Sequence, residues 1–249
     1  MVSRSLAIDC LTYAVIVVCS SAVPHSSAQA EPRAVIELFT SQGCSSCPAA
    51  DKLLGELAGD PTLVAMSLPV DYWDYLGWKD TLAQAGHSKR EHAYARVRGD
   101  GQVYTPQIVV NGTMHVLGSD KDAIEHAIAK TRKSGVPLSL PVTLGVADDN
   151  VTVNVPAGKA IASEVWLCPI TKAIPIAIGR GENRGRTVTY YNVVRRWLKL
   201  GEWNGTAESW KVPVKDLQTG EIDSVAVMVQ AGKASSPGPV LGAVLSAIR

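Results

Sequence analysis

The chain has 249 residues, 46% of them hydrophobic, with 24 lysines and arginines against 23 aspartates and glutamates and a formal net charge of +1. That length carries one large core or two modest ones. The near-neutral balance supplies no field that would gather nucleic acid or hold the chain on an anionic membrane, so both partner classes are set aside.

Residues 1–30 read as a signal peptide. Arg4 supplies a short positive region, residues 11–19 an apolar one, and Ala28-Gln29-Ala30 a small-x-small cleavage site. The apolar run is short for a bilayer span, so no stable membrane insertion is expected after cleavage. The chain is expected to be exported, periplasmic or secreted. Cleavage removes Cys10 and Cys19 from the five cysteines and leaves Cys44, Cys47 and Cys168.

Residues 34–51 organise the rest. Val35, Ile36, Leu38 and Phe39 read as a buried strand, and a helix is predicted over 48–58 with Leu53, Leu54 and Leu57 facing inward. Cys44-Ser45-Ser46-Cys47 therefore falls where a strand hands over to a helix. Free amides and the macrodipole at a helix N-terminus favour a thiolate below the usual thiol pKa of about 8.5. Cys44 is expected to be exposed and to react first, with Cys47 sheltered inside the first turn. A disulfide across two intervening residues restrains little of the unfolded chain, so its worth is chemical rather than structural. A second apolar run over 63–70 completes a strand-helix-strand unit, normally parallel with a right-handed crossover, placing the cysteine turn at the carboxyl edge of the sheet.

Residues 71–80 set Tyr72, Trp73, Tyr75 and Trp78 just beyond that second strand. They read as the wall of a substrate groove above the cysteines, or equally as rings capping the core. Residues 81–98 read as a polar helix. His87 and His92 lie five apart, off a common face, and read as solvated. Asn111-Gly112 between strands at 107–110 and 113–117 signals a hairpin, and Ser119-Asp120 caps a helix over 121–133. Beyond Gly135, Pro137 and Pro141, short alternating runs at 142–146, 151–155, 164–169, 173–178, 187–197 and 224–230 suggest an antiparallel sandwich. Residues 179–186 concentrate Arg180, Arg184 and Arg186 in a turn that is better read as solvated than as a binding site. Cys168, in an apolar context, reads as a buried thiol.

The order of strand, CxxC, helix, strand, helix, Thr-Pro, hairpin and helix resembles that of thioredoxin-like proteins. The stretches LFTSQGCSSCPAADKLL, VDYWDYLGW and VYTPQIVVNG resemble more narrowly the domain-of-unknown-function family 1223. The resemblance implies an α/β thioredoxin-like domain over 31–136, followed by a β-rich domain over 137–249 that is read as the sandwich. It implies that Pro106 after Thr105 is the cis-proline facing the cysteines and offers backbone contacts to an extended substrate. Glu37 resembles the acidic residue that serves such proteins as a proton relay, here toward Cys47; the plainer reading is a strand-end carboxylate paired with a surface cation. The function expected is an exported thiol-disulfide oxidoreductase that acts on protein thiols or disulfides, with no cofactor beyond the cysteine pair and no metal. The alternatives are a non-catalytic binding module and a copper or zinc carrier recruiting a histidine such as His115.

Overall fold

A computed structural model describes residues 31–217 and 220–248. The predicted signal peptide lies outside the described residues. In chain order the elements are β1 (Ala34–Thr40), α1 (Cys47–Leu57), β2 (Leu63–Pro69), α2 (Ala85–Arg98), β3 (Gln107–Val110), β4 (Met114–Leu117) and α3 (Lys121–Arg132). There follow β5 (Thr143–Ala147), β6 (Asn150–Val155), β7 (Ser163–Ala177), β8 (Thr187–Val194), β9 (Leu198–Trp203), β10 (Glu208–Pro213), β11 (Ser224–Lys233) and β12 (Ser236–Ala247).

Local chemistry accounts for the first half. β1 and β2 are buried at every position, the pattern of parallel neighbours covered on both faces. Asn111 (φ 51°) and Gly112 (φ 71°) take the left-handed conformations that a tight hairpin requires, joining β3 to β4. The Asn111 side chain also accepts from the Val35 amide and donates to Thr131 of α3, both at 2.8 Å. Asp120 caps α3 by accepting from the Ala123 amide at 2.9 Å.

The expected pair of units, an α/β thioredoxin-like domain and a separate antiparallel sandwich, is overturned by the sheet itself. Nine strands form one mixed sheet in the order β12-β11-β7-β8-β2-β1-β3-β4, with β9 also paired to β7. The strands of the second half thus extend the sheet of the first, and three helices against twelve strands make the described chain mostly β. Only β10, β6 and β5 stand apart, as a three-stranded antiparallel sheet. The seam is β2 against β8, where one parallel register pair, Ser67 with Val193, is supplemented by Asn192 Nδ2 donating to the Ala65 carbonyl at 2.9 Å. Gln84, at the start of α2, ties the same seam by donating to the carbonyls of Val194 and Arg195.

The physical cause lies in β7 and β11, which are apolar on both faces. Val165, Leu167, Val225, Val227 and Val229 pack with Val151 and Val153 of the small sheet, whereas Cys168, Ile170, Ala226 and Met228 pack with Val35, Phe39, Met66 and Tyr94. A two-layer sandwich would cover one face and leave the other wet. α1 and α3 cover Ala34, Ile36 and Leu38 on the opposite side of the sheet from Tyr94 of α2. The runs expected at 164–169 and 173–178 are one fifteen-residue strand, β7. Strands β9, β10 and β12 fall outside the strand-like runs read from sequence, and Gly201, Pro213, Pro237, Gly238, Pro239 and Gly242 interrupt their patterns.

Candidate functional site

Cys44 and Cys47 form a disulfide, with Cα atoms 5.4 Å apart, in the turn between β1 and α1. Cys47 is the first residue of α1, Ser46 caps it without a side-chain bond, and Pro48 sits where a missing amide costs nothing. Both cysteines are covered, at 1% and 0% exposure, so the expected contrast between an open Cys44 and a sheltered Cys47 is absent; Ser45 and Ser46 carry the exposed surface of the turn.

The cover comes from three directions. Thr105, joined to Pro106 by a cis peptide, places its carbonyl oxygen 3.7 Å from Cys44 Sγ. Trp73 rests against Gly43 and donates its indole N–H to Thr105 Oγ1 at 2.8 Å, while Trp78 donates to Gln42 Oε1 at 2.8 Å. The third cover is the tip between β7 and β8, read from sequence as a solvated arginine turn. Its Asn183, 1% exposed, donates to the carbonyls of Gln42 and Cys44 at 3.0 and 2.8 Å, and Glu182 accepts from the Ser45 amide at 3.2 Å. Arg180, Arg184 and Arg186 remain on the surface of that tip.

Of the four aromatic residues read either as a groove wall or as rings capping the core, Trp73 and Trp78 flank the cysteine turn. Tyr72 packs against the core shared by α2 and β11, and Tyr75 projects outward at 80% exposure. Glu37 lies on the α2 face of β1, where its carboxylate receives Arg90 Nε at 2.5 Å, Arg90 Nη2 at 3.1 Å and Tyr94 O–H at 2.6 Å. Gln230 of β11 completes the cluster by accepting from Arg90 and donating to Tyr94, each at 2.8 Å. The carboxylate is paired, as in the plainer reading, but with a buried guanidinium and not a surface cation, and it is turned away from α1.

The acid on the α1 side is Asp51, which sequence reasoning passed over. It follows Cys47 by four residues, hence on the same face of the helix, and is 1% exposed. Oδ1 accepts from Thr40 Oγ1 at 2.8 Å, and Oδ2 has no hydrogen-bond partner among the described residues. Burial holds its carboxyl well above the usual carboxylate range, against the opposing hydroxyl of Thr40 and with a further push from the charge of Asp80. Asp80 is also raised by burial, although the amides of Gln42, Leu82 and Ala83 donate to it. The available signal for Asp51 was an aspartate on the inward stripe Cys47, Ala50, Asp51, Leu54. Glu182 and Asn183 carried no such signal, lying more than 130 residues from the turn they hold.

His87, expected to be solvated, is fully buried. Its Nδ1 lies 2.9 Å from the Pro69 carbonyl, and burial pushes its pKa down to about 4. His115 contacts Tyr104 through Nδ1 and Asp100 through Nε2. Among the described residues no cluster of three or more histidine, cysteine, aspartate or glutamate side chains is placed to hold a metal ion. Cys168 is buried as expected, and burial raises its thiol pKa strongly.

Fold and site together define a β-rich protein with one mixed sheet and a covered CxxC disulfide at a strand-to-helix turn. The chain belongs to the family described as protein of unknown function (DUF1223), whose model matches residues 35–230. It is similar to the crystal structure of protein AGR_C_4864 from Agrobacterium tumefaciens, with 32% identity, a TM-score of 0.80 and coverage of 89% of this chain and 97% of that one. A more distant likeness, in fold alone, is to HBP35 of Porphyromonas gingivalis, with 14% identity, a TM-score of 0.54 and coverage of 88% and 76%. No curated protein matches the chain.

Proposed function

We propose that the protein is an exported thiol-disulfide oxidoreductase that exchanges with protein thiols or disulfides through Cys44 and Cys47. The observation that carries this reading is the CxxC disulfide at the start of α1 with the unpaired Asp51 carboxyl one helical turn behind it. A ring closed over two residues adds little to stability, and a buried acid without a cation costs stability, so both features are accounted for by chemistry rather than by folding.

In the oxidised chain, a thiolate of a partner dithiol attacks Cys44 Sγ. A new intermolecular S–S bond forms as the Cys44–Cys47 bond breaks, and the electron pair leaves on Cys47 Sγ. Asp51, kept protonated by burial, gives its proton to that sulfur. The second thiolate of the partner then attacks its own sulfur in the mixed disulfide and releases Cys44. The partner ends oxidised by two electrons, the chain reduced by two, and Asp51 regains its proton from solvent. The Thr105 carbonyl beside Cys44 offers a backbone acceptor to an extended substrate, with Pro106, Trp73 and Trp78 as the surrounding wall. Attack requires the tip holding Glu182 and Asn183 to withdraw.

The burial of both cysteines favours the second reading, a secreted binding module in which the disulfide is static. Equilibrating the full chain in dithiol redox buffers and counting free thiols by alkylation and mass separates the two. The redox reading expects a reversible two-electron midpoint between about −120 and −270 mV. A midpoint below about −300 mV, or a disulfide untouched by reductant while the fold persists, moves the binding module ahead. Export rests on residues 1–30, and intact mass of protein from an exporting host should show a chain beginning at Glu31.

A further inference from the structure

A cleft of about 580 Å³ opens between α2 and the turns and strands of the second half. It takes no part in the cysteine chemistry. Its floor is the pair Trp166 and Trp197, packed edge to face with ring centres 6.1 Å apart. Arg90 stacks over Trp197 at 4.4 Å, but its charge is already balanced by Glu37. The rim differs. Lys89, His92 and Arg96, at i, i+3 and i+7 of α2, stand exposed along it, and among the described residues no acidic side chain lines the cleft; Glu164, which accepts from the Ala234 amide behind its edge, is paired with Lys199. Neither Lys89 nor Arg96 makes an ion pair among the described residues; Arg96 reaches only the Ser235 carbonyl, at 3.4 Å.

We propose that this cleft binds a small amphiphilic anion, an apolar chain or ring ending in one carboxylate. The aromatic floor and the stems of Lys89 and Arg96 give apolar contact, and the volume lies within the range of small-ligand sites. The unpaired cations at the rim choose the headgroup, since a neutral or cationic head there gains nothing or is repelled.

The test uses the full oxidised chain and three probes that share one tail: dodecanoate, dodecanol and dodecylammonium, each kept below micelle formation. Binding is read by titration calorimetry and tryptophan fluorescence. Saturable 1:1 binding of dodecanoate, at least about tenfold tighter than the ammonium, is expected from two exposed like-charge contacts. The double variant K89E/R96E should reverse the order of the two charged probes, with unchanged near-ultraviolet circular dichroism and an unchanged rate of Cys44–Cys47 reduction. Should that variant lose its fold, Lys89→Gln alone should weaken dodecanoate about threefold. Equal affinity for all three headgroups, undiminished dodecanoate binding in these variants, or no saturable binding would overturn the proposal.

Discussion

Two buried carboxylates lie on opposite sides of the same sheet, and their surroundings divide structure from chemistry. Glu37 faces α2 and has every demand met: a guanidinium, a phenol and a glutamine amide bind one another around it. Asp51 faces inward from α1 with one hydroxyl and a free oxygen, and its pKa is raised by burial. An acid with its cation holds elements together, here β1, α2 and β11; an acid without one keeps its proton and can lend it. Position in sequence points the other way, since Glu37 is on the strand that leads into the cysteines.

The largest expected effect breaks the comparison at its base. Residues 31–135 expressed alone lack Gln230 and the apolar partners Cys168, Ile170, Ala226 and Met228 of the shared core. That fragment should be unfolded by circular dichroism and amide exchange, whereas a folded fragment would mean that the halves have separate cores after all. Arg90→Met in the full chain leaves Glu37 buried with its charge unanswered, and urea unfolding should show a loss of about 3–5 kcal/mol. Asp51→Asn should be neutral or stabilising at pH 7, because it removes a carboxyl whose ionisation the fold opposes. The sign follows from its raised pKa: Asp51 favours the folded state below its unfolded pKa of about 3.9, and that contribution is lost as pH rises toward the folded value.

His87 adds an acid-side limit on the α2 face. Its folded pKa of about 4 lies below the unfolded value of about 6.5, so the unfolded chain binds the proton first. Stability should fall as pH drops from about 6.5 to 4, by up to about 3 kcal/mol. His87→Gln should flatten that part of the urea-midpoint profile.

The remaining predictions sharpen the comparison through rate. Asp51→Asn should slow reduction of the Cys44–Cys47 disulfide by about 100-fold, the low end of what a positioned acid contributes, whereas Glu37→Gln should change the rate little in whatever fraction remains folded. Stopped-flow reduction by a dithiol across pH 5 to 9 checks both, and equal slowing by the two variants would erase the distinction. The smallest effect belongs to the covering tip. Asn183→Ala deletes the bonds to the Gln42 and Cys44 carbonyls, and at about 1 kcal/mol for each net hydrogen bond reduction should quicken up to about thirtyfold.

What was legible in the chain was local. The β1-to-α1 handover around Cys44 and Cys47, the Asn111-Gly112 hairpin and the Asp120 cap each depend on residues within a few positions of one another, so spacing and side-chain type were enough. Family membership was legible too, through the stretches around the cysteines, Trp73 and Pro106. What escaped was decided at long range. Whether β7 and β11 close a sandwich or extend a sheet depends on what covers their second face, and a strand apolar on both sides does not name its neighbours. Asp51 lay in plain view, yet its meaning required knowing that no cation among the described residues reaches it. Glu182 and Asn183 are ordinary turn residues until the β7–β8 tip lands on the cysteine turn. The sequence by itself determined where the cysteine pair sits; the tertiary structure alone decided which acid lies buried beside α1 and what covers the pair, because desolvation and charge pairing belong to surroundings assembled from distant parts of the chain.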